Sequence, residues 1–276
     1  FTGDTLIKKY RWDTVMYKNA EYLKKMIMDQ SRHLFIYGQK GQERSEFLQS
    51  LESLYPLTLD SSEPVALYFD SLTLPPASPD FKDKDSYTIY RLSREYLSFS
   101  IAAKILEQAT QFDTLDSKLS RLANLTSKSR NQSHPSITSA IDLLKEIKAS
   151  RDFYYESYMN YIKGLVTNIS FDDITLPFLN LEMFVRQYKR ETNMESHFGI
   201  VFDKKSPATE SSIQAINNYI GSRINSDISV KVAVEPGDWE TYHNTSGQPV
   251  EAIHDYGIIQ LDGSYSSESK KMIKHL

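Results

Sequence analysis

A three-layer α/β fold on a parallel sheet, interrupted by a large helical insertion, is predicted by three observations. Short apolar runs bounded by turn residues recur along the chain, as strands buried on both faces do. Helical periodicities alternate with them. The first run passes through a glycine turn directly into a helix, which is how a parallel crossover unit begins.

In chain order, Ala20, Leu23, Met26 and Ile27 fall at helical spacing and predict an amphipathic helix over Asn19–Met28. His33–Tyr37 is β-prone and apolar. It stops at Gly38-Gln39-Lys40-Gly41, after which Phe47, Leu48, Leu51 and Leu54 resume the helical period. Pro64–Asp70 is a second strand, so a βαβ unit occupies about 34–70. Phe198–Asp203 is a third strand ending in a carboxylate. A helix then carries Ile213, Ile216, Ile220 and Ile224 on one face, followed by strands over Ile228–Val234 and His254–Leu261.

Between these two halves the character changes. Pro75, Pro76 and Pro79 open a segment with helical patterns over Tyr96–Ala109, Ile137–Lys148 and Phe153–Val166. Ser117–Ser139 is rich in Ser, Asn and Thr, contains His134-Pro135, and predicts a mobile loop. The expected organisation is therefore a core in two parts, 1–74 and 196–276, with 75–195 inserted between them. Phe153, Tyr154, Tyr155, Tyr158, Tyr161 and Ile162 form an aromatic stripe in the insertion. Core or interface packing suits it better than base stacking, because few basic residues accompany it.

Composition narrows the function classes. Of the 276 residues, 40% are hydrophobic and 25% charged, which is enough apolar material for a sizeable core. Thirty-six acidic against 32 basic residues give a net charge of −4, so the overall balance draws the chain to no polyanion. There is no cysteine, which removes disulfides, zinc-thiolate sites and thiol nucleophiles and agrees with a cytoplasmic location. No apolar run reaches the roughly 20 residues needed to span a bilayer, so no membrane role is expected. The chain starts at Phe1 without an initiator Met or a signal-peptide pattern, and further sequence upstream is expected.

The chemistry-bearing motif is Gly38-Gln39-Lys40-Gly41-Gln42-Glu43-Arg44-Ser45. A phosphate-binding loop needs G-x-x-x-x-G-K-[ST] between strand and helix: backbone N–H groups close around phosphate while Lys and a hydroxyl meet phosphate and Mg²⁺. Gly38, Gly41 and Ser45 hold their places. Glu43 replaces the second glycine, and Arg44 replaces the lysine with a bulkier planar cation. A carboxylate about 5 Å from phosphate costs on the order of 3 kcal/mol at an effective dielectric near 20, unless it turns outward. The same eight residues also suit a plain glycine turn without ligand. Downstream, Asp203 ends a strand where a magnesium-holding aspartate would stand. Lys204 follows it; taken alone it would be an ordinary solvated lysine.

This order of helix, strand, degenerate loop, strand, insertion and Asp203 strand resembles the P-loop AAA+ ATPases of the origin-recognition type, their bacterial members above all. About two-thirds of the chain is covered, and the inserted helices are not. The resemblance implies the AAA+ form of the P-loop NTPase sheet, a degenerate Walker A over Gly38–Ser45, and a Walker B at Asp203. Gly38, Gly41, Arg44 and Ser45 would contact ATP or ADP, and Ser45 and Asp203 would hold Mg²⁺; absence of any nucleotide stands as an equal expectation. Lys204 occupies the position of the water-preparing glutamate and Glu235 that of a polar sensor, so hydrolysis is expected to be weak or lost. Arg223 could serve as an arginine finger by the resemblance, but a cation stabilising a helix C-terminus is better supported by its position. The small helical lid expected after the core is not recognisable before Leu276.

His254-Asp255 is not a catalytic dyad, since neighbours on a strand face opposite ways. The histidines show no metal-ligand spacing. The expected function is a degenerate nucleotide-binding module acting as a regulatory or scaffold domain in a larger assembly of bacterial genome maintenance or defence. Protein partners would dock on the inserted helices, and nucleic acid enters through the resemblance alone. Two alternatives stand beside it: a slow ATPase using Arg44 in place of lysine, and a ligand-free protein- or DNA-binding domain.

Overall fold

A computed structural model describes residues 21–28, 31–39, 41–58, 62–70, 85–112, 115, 117–122, 137–170, 176, 179–204, 210–221, 227–239, 241–251 and 255–261. The elements are α1 (21–28), β1 (His33–Tyr37), α2 (Gln42–Leu54), β2 (Val65–Asp70), α3 (Ser86–Ala109), a short α4 (117–122) and α5 (Ala140–Ile162). They continue with α6 (Leu181–Thr192), β3 (Phe198–Asp203), α7 (Glu210–Gly221), β4 (Ile228–Val234) and β5 (Tyr256–Gln260).

The five strands form one sheet in the order β2-β3-β4-β1-β5, and every pairing is parallel. Parallel strands need covered faces, and both are covered. Odd-numbered residues of β1 and β2 (Phe35, Val65, Leu67, Phe69) share a face with even-numbered residues of β3 and β4 (Phe198, Ile200, Phe202, Val230, Val232). They pack with α3, α5, α6 and α7 in the larger core. The opposite face carries Leu34, Ile36, Ala66, Val201 and Ala233, packed with Ile27 and Met28 of α1 and Leu48 and Leu51 of α2. Gly199 lets α1 come close on this side. A Cβ there would lie 2.7 Å from Met28 Cε.

Helices α3, α5 and α6 each start on a polar cap that takes up otherwise unpaired N–H groups. The Asp85 side chain accepts from Tyr87 and Thr88 N–H at the start of α3, Ser139 from Asp142 N–H at α5, and Asn180 from Met183 N–H at α6. Asn193 closes α6 in the left-handed region (φ 58°), which asparagine tolerates. Helices α3 and α5 run antiparallel, with Phe99 stacked on Tyr154 at 5.6 Å and Tyr96 against Tyr155 at 5.5 Å.

Several expectations change here. The two helices predicted over 137–148 and 153–166 are one helix, α5, because Ala149-Ser150-Arg151-Asp152 contains no breaker and Ser150 is small enough to be buried within the bundle. Helix α3 starts ten residues earlier than its apolar period suggested, at the Asp85 cap. Helix α6 was not anticipated, although Leu181, Phe184, Val185 and Tyr188 behind Asn180 carry the period. The predicted 117–139 loop is helical over 117–122, with Leu119 and Leu122 buried; residues 123–136 lie outside the described residues. The aromatic stripe is core: Tyr154 and Tyr158 are fully buried, while Tyr155 is partly exposed.

Candidate functional site

The chain leaves β1 at Tyr37, and the N–H of Gly38 donates to the Val234 carbonyl at the end of β4 (3.2 Å). Gly38 is packed tightly there; a Cβ would meet Leu261 Cβ at 3.3 Å and Arg44 Cδ at 3.6 Å. Gly41 then leads into α2, and its carbonyl accepts the Ser45 N–H at 3.3 Å. Helix α2 covers the sheet face shared by Tyr68, Asp70, Val201 and, by parity, Asp203, so its first turn overlooks the end of β3.

One strand, β4, lies between β1 and β3, a separation of about 10 Å between their axes. The Arg44 side chain spans that distance. Its Nε and Nη2 donate to Asp203 Oδ1 at 3.1 and 2.9 Å, Nη1 donates to the Gly38 carbonyl at 2.7 Å, and Nη2 also donates to the Lys204 carbonyl at 2.8 Å. Asp203 Oδ2 accepts from Ser45 Oγ at 2.7 Å and from the Tyr68 hydroxyl at 3.1 Å. Both carboxylate oxygens therefore carry two donors from the chain itself. The pair is deeply buried, Arg44 at 5% and Asp203 at 1% exposure.

Burial, with the Asp203 charge and its hydrogen bond added, pushes the Tyr68 phenol far above its ordinary range, so it remains a donor. Tyr68 was not foreseen as part of this cluster. Its parity with Asp70, which pairs with Asp203 in the parallel register, was the available signal.

Lys204 is buried, against the solvated reading of it. Its Nζ donates to the Asp238 carbonyl at 2.5 Å and lies 3.9 Å from Asp238 Oδ2, while its N–H donates to the Ala233 carbonyl. A strand end surrounded by α2 and the turn after β4 has no open face for that side chain. Glu43 is exposed, so its charge is screened by water, and Glu235 is half-buried in the 235–238 turn. Arg223 and His254 lie outside the described residues. Asp255 accepts the Glu251 N–H at 2.8 Å and holds a turn before β5.

Away from this cluster, a cleft of about 520 Å³ between α2, β2, α3 and α5 is lined by Glu52, Asp70, Lys104, Glu107, Arg151 and Asp152. Its cations are engaged by its own acids: Lys104 lies 2.8 Å from Glu52 and Arg151 lies 2.8 Å from Asp152. In the middle of β4, Lys231 is buried and donates to the Arg32 carbonyl just before β1. Burial brings its ammonium down to about 7. Beside it, His33 Nδ1 accepts the Val230 N–H at 2.9 Å. Burial, with the Lys231 charge, holds His33 down at about 4 against a smaller upward pull from Asp255.

A parallel sheet with a strand–glycine turn–helix phosphate-loop position facing an aspartate at the end of β3 defines a module of the P-loop, AAA+ class. The family model for ORC-CDC6-like proteins matches residues 75–276, well over half of the chain, and the chain belongs to that family. The matched span includes Asp203 and Lys204; the Gly38–Ser45 loop precedes it. No curated protein matches the chain. Among the described residues, no helix is long and apolar enough to cross a membrane, and no group of His, Cys, Asp and Glu is arranged to hold a metal ion.

Proposed function

We propose that the chain is a degenerate AAA+ module that does not turn over ATP and serves as a regulatory or scaffold domain of a larger cytoplasmic assembly, in bacterial genome maintenance or defence. The observation that carries this is the Asp203 carboxylate, whose two oxygens are taken by Arg44, Ser45 and Tyr68. Phosphoryl transfer needs that carboxylate for the metal, a mobile cation for the transferred group and a carboxylate to orient water. Arg44 is tied down and Lys204 stands where the water-orienting residue belongs. The slow-ATPase reading requires Arg44 to leave Asp203, and no described residue around it favours that.

On this reading residues 75–195 are an insertion whose exposed side receives a protein partner. The aromatic stripe is spent on the core, so a partner would meet side chains such as Tyr87, Ile141 and Met183, each more than half exposed. The net charge gives no support to nucleic acid as that partner.

Phosphate release from Mg-ATP by the purified chain tests the proposal. No release above the Asp203→Ala control is expected. Magnesium-dependent turnover that vanishes in both Asp203→Ala and Ser45→Ala would establish an ATPase instead.

A further inference from the structure

The residues at this site do not fit a magnesium–nucleotide complex in the arrangement they hold. Magnesium takes oxygen ligands at 2.0–2.1 Å in a near-ideal octahedron, or reaches carboxylates through its ordered waters, and either way it needs lone pairs facing it. Asp203 Oδ1 faces two guanidinium N–H groups and Oδ2 faces two hydroxyls. A lysine in a phosphate loop leaves the loop carbonyls alone and reaches for phosphate. Arg44 instead donates back to the Gly38 carbonyl at 2.7 Å, tying down the first residue of the loop it would have to serve.

Three segments that a bound nucleotide and metal would hold together are already held by two side chains. Arg44 joins the Gly38 turn to Asp203 and to the Lys204 carbonyl. From there the Lys204 ammonium reaches the Asp238 carbonyl in the turn after β4. The chain 38–44–203/204–238 is continuous, buried from Gly38 to Lys204 and half-buried at Asp238, and it runs across β1, β3 and β4 at their carboxyl ends.

We propose that Arg44 and Lys204 are built-in substitutes for the nucleotide and its metal, bracing these three segments so that the module keeps one arrangement whatever the nucleotide supply. This rests on the reading of the module as non-hydrolysing and adds to it that the site is insensitive to nucleotide. A partner bound to this module would then read its presence, not a nucleotide state.

Thermal melting of the unmodified chain with millimolar Mg-ATP, Mg-ADP or neither is the test, with phosphate release followed in the same samples. A shift below about 1 °C is expected with both nucleotides. Arg44→Met should lower the melting temperature by roughly 10 °C, because it strands a buried carboxylate; the paired Arg44→Met, Asp203→Asn variant should recover at least half of that loss. Stabilisation by several degrees without phosphate release would overturn the substitution idea and leave the non-hydrolysing reading standing. Stabilisation with Asp203-dependent release would overturn both. Should the Arg44 variant fail to fold, hydrogen exchange of the unmodified chain at 38–45 and 235–239 decides the matter. Protection unchanged by Mg-ATP is expected, and a gain confined to those segments would sink the proposal.

Discussion

Arg44 and Asp203 stand 159 positions apart in the chain and meet with Nη2 2.9 Å from Oδ1, the guanidinium side chain 2% and the carboxylate side chain fully buried. Such a pair need not stabilise the fold relative to apolar residues, since desolvation offsets much of its attraction. Breaking it is another matter. Asp203→Leu leaves a buried guanidinium with carbonyl partners only, and a loss of about 3–5 kcal/mol is expected from chemical denaturation. A loss below about 1 kcal/mol would mean that the pair opens readily in solution.

Lys204→Glu restores the carboxylate that the proposed reading expects at this position, yet it should damage the protein. The new carboxylate would be buried against the Asp238 carbonyl, with a second carboxylate nearby and no donor in place of the ammonium. A fall in stability of about 3 kcal/mol or more is expected, with no gain in phosphate release; a variant as stable as the parent would show that this side chain can turn outward.

Tyr68→Phe removes one hydroxyl donor from Asp203 and keeps the ring. About 1.5–3 kcal/mol should be lost, the ordinary range for a hydrogen bond to a charged group. Combined with Ser45→Ala, the two losses should couple and not add, because both hydroxyls serve Oδ2. Denaturation midpoints of the two single variants and the pair measure this.

Stability should rise with pH in two windows. Lys231 falls from about 10.5 in the unfolded chain to about 7 in the fold, so between those values the unfolded state binds more protons and alkali favours folding. His33 falls from 6.5 to about 4, which places a second rise between pH 4 and 6.5. Lys231→Met should flatten the upper window and raise stability at pH 7 by on the order of 2 kcal/mol, net of the lost bond to the Arg32 carbonyl. Denaturant titrations from pH 4 to 10 on both proteins would show it, and an unchanged upper slope in the variant would assign that dependence to other groups.

Gly199→Ala places a methyl 2.7 Å from Met28 Cε. Methionine is flexible, so a cost of about 1–3 kcal/mol is expected and not unfolding. Trimming the neighbour in a Gly199→Ala, Met28→Ala pair should not restore full stability, because it removes a buried side chain from the smaller core. The measurement is again the denaturation midpoint, and a cost-free Gly199→Ala would show that α1 rides loosely on the sheet.

The strands were legible because parallel strands buried on both faces read as unbroken apolar runs: Phe198–Asp203 and Ile228–Val234 are buried at every position. The glycine turn into α2 and the carboxylate ending β3 were legible for the same local reason, since turn residues and strand ends mark themselves. Helix boundaries between β2 and β3 were less so. Helix α3 is buried on most of its circumference, which blurs the amphipathic period, and α5 continues through a polar stretch that only its packing against α3 explains.

What the sequence determined by itself was a glycine turn, Gly38–Gly41, between a strand and a helix, and an aspartate followed by a lysine far downstream. It left Arg44 open to meeting phosphate or not, and it made Lys204 look like a surface charge. Tertiary structure decided both. The register Asp70–Asp203 and the placement of α2 over that face bring Arg44, Ser45 and Tyr68 onto one carboxylate, and the turn after β4 closes over Lys204. Those partners are 135–159 residues from Asp203 in the chain, and no local pattern specifies where a long cation will end. Its place is set by the desolvation penalty, which a buried charge escapes only by reaching its counter-charge.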